Sequence, residues 1–255
     1  MVITTSSSPI KLPKKPSFNF IYNLLEEQYN LFNQELSTNS HPDPIMVAKE
    51  LLNHKKRDKL ILFCALFSYG NAKAIVNFLN SCNLKAQAPS FLKPYRFQNT
   101  EDINNFFNTL LKVPIYEIFL ESYKQENSVL YGIEALQNAL LKTLKTPLSE
   151  GLKFLIGIPN SHSPLKRWNM FLRWMARSDR LDFGLWREVD KSTLILPLDT
   201  HTFKISHKLG LLKRKSYDLK AALEITQNLK RLDPQDPIKY DFALYRIGQL
   251  GLLDG

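Results

Sequence analysis

Cysteine, glycine and long apolar runs are all scarce in this 255-residue chain, and each scarcity removes a class of protein. The only cysteines are Cys64 and Cys82. With no CxxC pair and no cysteine-rich tail, a disulfide framework and an iron–sulfur cluster are both excluded as readings. The five histidines (41, 54, 162, 201 and 207) do not fall at metal-ligand spacing with cysteines or acids. His201 and His207, six positions apart, point to different faces of a helix, so no metal site is expected. Nine glycines and few alternating Val/Ile/Thr runs argue against a sheet. The longest apolar run, LILFCALF at 60–67, is too short to span a bilayer, and no membrane partner is expected. The opening residues, MVITTSSSPIKLPKKPSF, have charge but neither an apolar core nor a small-residue cleavage site. They do not read as a secretory signal. Residues 1–16 are expected to form a mobile basic tail, and the location to be cytoplasmic.

What the chain does have is positive charge and helical periodicity. Lys and Arg number 34 against 24 Asp and Glu, a net charge of +10. Such a balance suits a polyanionic partner, nucleic acid being the commonest, although many basic proteins have none. Apolar residues recur at three- and four-residue intervals through SFNFIYNLLEEQYNLFNQEL (17–36) and, after STNSHPDP, through PIMVAKELLNHKK. RDKLILFCALFSY (57–69) is apolar on most sides, the mark of a buried central helix. Gly70 and Asn71 interrupt it before AKAIVNFLNSC. Further helices are expected in TEDINNFFNTLLK, PIYEIFLESYK and VLYGIEALQNALLKTL, then in a helix–turn–helix over roughly 149–178. An irregular connection at 179–201 leads to DTHTFKISHKLGLL, capped by Asp199 and stopped at Gly210. Two more helices complete an all-α module of about ten. The extended PYRF segment (94–97) carries no chemical reading at this level.

Chemistry concentrates in GIPNSHSPLKRW (157–168). Ser163 is a good N-cap and Pro164 suits the first helical position, which puts Lys166 in the first turn. A positive charge there opposes the helix dipole, by ~0.3–1 kcal/mol at an exposed site. The same field favours the uncharged amine that nucleophilic attack on a sugar or carbonyl carbon requires. The turn from Gly157 to His162 can present backbone N–H groups to a phosphate. The bland alternative is a surface lysine after an ordinary helix–turn–helix.

The run LPLDTHTFKISHKLGLL, following that hairpin, resembles the helix-hairpin-helix DNA glycosylase superfamily, as does the helix pair LILFCALFSYGNAKAIVNFL. The absence of cluster cysteines and the 33 positions from Lys166 to Asp199 are more similar to its archaeal-type 8-oxoguanine glycosylase/AP lyases and related uncharacterised bacterial proteins. The hairpin departs from the superfamily's pattern in having lost part of its glycines. The resemblance implies a two-lobed helical fold with a cleft between lobes, one about 57–185 and the other 17–56 plus 186–255. It implies Lys166 as nucleophile and Asp199 as the carboxylate that stabilises charge at the anomeric carbon, in bifunctional excision of an oxidised purine, 8-oxoguanine first, without metal or redox cofactor. The partner would be double-stranded DNA carrying a damaged base, bound by a monomer in the nucleoid.

Other roles follow from the same resemblance, each beside a plainer one. Tyr69 and Asn71 would wedge into the vacated base stack, or form a helix break with a packed tyrosine. Trp168 would be a base platform or core. Asp241 and Phe242 would read and stack on a purine, or be a surface acid and a core ring. Gly157, Asn160, Ser161, His162 and Ser163 in the hairpin, with Thr200, His201 and Lys204, would face DNA phosphate. For Asp199 the plain role is an N-cap. Two rival functions remain open: a monofunctional glycosylase for alkylated bases, and a non-catalytic helical DNA-binding module.

Overall fold

The computed structural model describes residues 10–33, 42–86, 89 and 91–254. Residues 1–9 of the expected tail, the end of the first expected helix with the break up to His41, and parts of the 88–97 connection lie outside these. The protein is all-α. In chain order the helices are α1 (Phe18–Phe32), α2 (Pro44–Lys49), α3 (Arg57–Leu66), α4 (Ala72–Ser81), α5 (Thr100–Lys112), α6 (Ile115–Glu126), α7 (Val129–Thr143), α8 (Glu150–Ile156), α9 (Lys166–Ala176), α10 (Thr200–Lys208), α11 (Leu219–Lys230) and α12 (Asp241–Gln249). The only strands among the described residues are two short parallel ones, in which Ile10 and Lys11 pair with Leu253 and Asp254. None of the described helices is long and apolar enough to cross a membrane.

The chain divides into two compact units. The first takes its residues from Met1–Glu35, His162–Leu185 and Asp190–Gly255, the second from Leu36–Ser161 and Trp186–Val189. These bounds differ from the lobes expected from sequence at both ends. Helix α2 packs on α3 and α4 and so belongs to the second unit. Residues 162–185, expected with 57–161, belong to the first. The four residues from Trp186 join the second because Trp186 Nε1–H donates to Asp58 Oδ2 (3.0 Å) and its ring lies 5.1 Å from that of Phe119. The expected helix–turn–helix therefore starts in one unit, with α8, and ends in the other, with α9.

Local chemistry accounts for most of the helix starts. Ser17, Asp43, Asn71, Asn99, Ser149, Asp199 and Asp218 each accept a backbone N–H of the first turn, satisfying donors that have no partner within the helix. Helix α3 is buried on every side from Leu60 to Leu66, as its unbroken apolar run requires. Cys64 and Cys82 are free and buried, and burial pushes the thiol of Cys82 up to about 12 and that of Cys64 higher still. They are packing residues. In the first unit α1 and α10 both pack on α12. The approach of α10 is close: a Cβ on Gly248 would meet the Cβ of His201 at 2.8 Å, so the glycine is what lets the two helices touch.

Candidate functional site

The first unit brings Lys166 and Asp199 together. Residues Leu194–Leu198, all buried, run extended into α10. The backbone N–H of Leu196 donates to Thr226 Oγ1 (3.0 Å), and the hydroxyl of Tyr217 donates to the carbonyl of Leu198 (2.6 Å). Asp199 is thus held from the residue just before it. Its Oδ1 accepts the N–H of Thr202 at 2.8 Å, and its Oδ2 lies 3.8 Å from Lys166 Nζ. One carboxylate oxygen caps the helix while the other faces the amine, so the plain role and the chemical role are compatible. The Asp199 side chain is 12% exposed and that of Lys166 35%, so the acid is sheltered while the amine is open to a reactant.

The start of α9 differs from expectation. Lys166 is the first helical residue, and the cap position is Leu165 in the left-handed region (φ 52°), not Ser163. A leucine rarely adopts that conformation, which marks local strain beside the amine. It is held by neighbouring contacts: the N–H of Asn169 donates to the Leu165 carbonyl (2.9 Å), Asn169 Nδ2 donates to the Pro164 carbonyl (3.2 Å), and the N–H of Leu219 donates to the carbonyl of His162 (3.0 Å). Ser163 Oγ accepts only the N–H of Leu165, at 3.4 Å.

Two N–H groups of the expected phosphate-binding turn are bonded internally. The N–H of Gly157 (φ 83°) donates to the Lys153 carbonyl and that of Ser161 to the Ile158 carbonyl, while Pro159 has no N–H to offer. Asn160 donates its side-chain amide to Glu134 (2.6 Å), which brings a negative charge to the place meant for phosphate. His162 and Ser163 are exposed, as are Thr200 and Lys204, four residues apart on one face of α10. His201 is half-buried with its ring edge-on to Tyr245. In the second unit, Asn71 caps α4, and Tyr69 lies in an aromatic cluster with Phe97 and Phe154. Trp168 is 3% exposed and belongs to the core of the first unit, so as a base platform it is corrected.

Asp241 is not the surface acid that its sequence suggests. It is 5% exposed and paired with Arg173, within a buried ionic cluster that single-sequence reading missed. Arg173 Nε lies 3.2 Å from Asp182; Arg177 contacts Asp182, lies 3.0 Å from Asp179 and forks onto Asp236 at 2.8 and 3.1 Å. Lys191 stands 3.7 Å from Asp236. Lys166 and Arg173 are seven positions apart, so a single stripe of α9 leads from the amine to the cluster. Phe242 lines a small cavity beside it with Tyr29, Arg173, Arg177 and Lys239. The signal in the sequence was two arginines four positions apart, Arg173 on the apolar stripe of α9 and Arg177 just past its end.

Burial first, and then the nearby charge of Asp199, push the Asp241 carboxyl up to about 6, with Arg173 opposing them. A carboxyl that binds its proton more tightly in the folded chain than in the unfolded one adds stability at low pH. That contribution is complete below about 3.8 and is lost as pH rises through about 6. Urea unfolding across this window is expected to show a less negative dependence of stability on pH in Asp241→Asn than in the parent; an unchanged slope would refute the assignment. Tyr217, half-exposed but with its hydroxyl turned inward, is likewise held protonated by burial and by the charge of Asp199. It is a positioning residue absent from the sequence reading. Among the described residues no group of three His, Cys, Asp or Glu side chains could hold a metal ion.

Fold and site together define a helical protein with a lysine–carboxylate pair at the starts of two helices of one unit. A family model described as a protein of unknown function, DUF2400, matches residues 43–250, and the chain belongs to that family. This corrects the kinship drawn from sequence: the match is to DUF2400, and nothing supports membership of the helix-hairpin-helix glycosylases. That likeness rested on two short runs, LPLDTHTFKISHKLGLL and LILFCALFSYGNAKAIVNFL, while the hairpin lacked part of the expected glycines. No curated protein and no solved structure matches the chain.

Proposed function

We propose that this protein is a DNA N-glycosylase with AP lyase activity, acting on double-stranded DNA that carries a damaged purine. The observation that carries the reading is the 3.8 Å approach of Lys166 Nζ to Asp199 Oδ2, with the amine accessible and the acid sheltered. An amine beside a carboxylate fixed by its own helix is the pair that substitution at an anomeric carbon needs. A net charge of +10 suits the phosphate backbone, which supplies affinity without reading sequence.

In the mechanism, the damaged nucleotide leaves the stack, which costs a few kcal/mol. Lys166 gives up a proton to solvent, Asp199 staying ionised beside it, and its lone pair forms a bond to C1′ of the sugar. The glycosidic bond breaks and the base departs with the bonding electrons and takes up a proton. Asp199 stabilises the positive charge that develops at C1′. Opening of the sugar ring gives a Schiff base on Lys166; loss of a proton from C2′ expels the 3′ phosphate and nicks the strand. The binding-only alternative gives no role to the approach of Lys166 to Asp199, which is what favours the catalytic reading.

The test is strand nicking on two duplexes, one with a single 8-oxoguanine and one with a single abasic site. Cleavage of both supports glycosylase and lyase steps, and cleavage of the abasic duplex alone keeps the lyase while rejecting this lesion. Cleavage of neither rejects the proposal.

A further inference from the structure

We propose that the second unit carries a separate binding platform for unpaired nucleobases, built from Tyr69, Arg96, Phe97 and Phe154. The PYRF segment, mute in the sequence, is a tight hairpin: Tyr95 and Gln98 exchange both backbone hydrogen bonds (2.9 and 3.0 Å), leaving Arg96 and Phe97 as its two-residue tip. Such tips favour Gly or Asn, because φ is positive there. Arg96 takes that conformation instead (φ 51°), and strain of this kind in a bulky residue points to use of the side chain.

The tip is exposed and yet rigidly held. Phe97 is 58% and Phe154 43% exposed. The rings of Tyr69 and Phe97 are parallel within 6° at 6.1 Å, and Phe154 stands edge-on to both, 4.9 Å from Tyr69 and 4.7 Å from Phe97. The Arg96 guanidinium lies 5.9 Å from the centre of the Tyr69 ring and 5.8 Å from that of Phe97, in space that a side chain on Gly70 would occupy. The Tyr69 hydroxyl donates to Gln98 Oε1, Gln98 Nε2 donates to the Gly151 carbonyl (2.7 Å), and the Tyr95 hydroxyl donates to the Tyr69 carbonyl (2.8 Å). Fixed, solvent-facing rings under a guanidinium, on a chain of charge +10, match the chemistry that holds single strands: bases stack on the rings and the cation meets phosphate. The ligand class is a polynucleotide strand with unpaired bases; it requires neither a lesion nor Lys166.

Fluorescence anisotropy with labelled single-stranded DNA, single-stranded RNA and fully paired duplex tests this. Phe97→Ala is expected to weaken single-strand binding about ten-fold, and Phe97→Ala/Phe154→Ala by more, with duplex binding little changed. Arg96→Gly removes the cation and relieves the turn, so it should fold at least as well as the parent while binding single strands more weakly. Lys166→Gln should bind single strands like the parent, which separates this platform from the catalytic proposal. The two single-strand arms show whether the sugar matters. The proposal is overturned if the parent has no single-strand affinity, or if the variants lose single strand and duplex equally. It is also overturned if Phe97→Ala abolishes self-association while strand binding persists, which would give the patch to a second copy of the chain.

Discussion

Lys166→Gln is expected to lower strand nicking by ~10³-fold or more while leaving the protein folded, because loss of a nucleophile removes the reaction path rather than tuning it. Stability should change by no more than ~1 kcal/mol, since the Lys166 side chain is 35% exposed and its ion pair is screened. Asp199→Asn makes the sharper comparison. Asparagine caps a helix about as well as aspartate, so the hydrogen bond to Thr202 survives and the fold with it. The negative charge that would face C1′ does not survive, and a fall of ~10²–10³-fold is expected. If Asp199 were only a cap, Asp199→Asn would keep its activity. Rates are to be compared on the abasic duplex, where the lyase step is read without dependence on the lesion.

Arg177→Met is expected to destabilise the protein by ~3–5 kcal/mol, a large share of the ~5–15 kcal/mol that holds a domain folded. Arg177 is the hub of the buried cluster and faces Asp179, Asp182 and Asp236. Methionine fills much of the space but leaves those carboxylates without their cation. Arg177→Lys should be no remedy, because an ammonium cannot reproduce the fork onto Asp236. The measurement is the urea midpoint at neutral pH. A loss below ~1 kcal/mol for Arg177→Met would mean that the cluster is not part of what holds the first unit together.

How far the sequence could be read depended on the range of the contacts involved. Helices whose starts are set by their own residues, such as α10 with Asp199 and α4 with Asn71, were legible, and so was α3 from its apolar run. The start of α9 was not. Ser163-Pro164 is a good local signal, but the Leu219 N–H takes the carbonyl of His162 and Leu165 adopts a positive φ, so the helix begins at Lys166. Asp241 read as a surface acid because Arg173, its partner, lies 68 positions away. Trp186 does lie in the irregular connection, but its burial was not legible because Asp58, its acceptor, lies 128 positions away. PYRF was silent because its meaning rests on rings at 69 and 154. The Lys166–Asp199 pair was anticipated through a family likeness that does not stand; the pairing is supported by geometry instead.

The proposed reaction passes through a covalent imine between Lys166 and the sugar. Borohydride reduction during reaction with the abasic-site duplex, followed by peptide mapping, tests it most directly. A protein–DNA adduct with the added mass on Lys166, absent from Lys166→Gln, is the expected result. An adduct mapped to another lysine, or no adduct from a protein that nicks the strand, would contradict it.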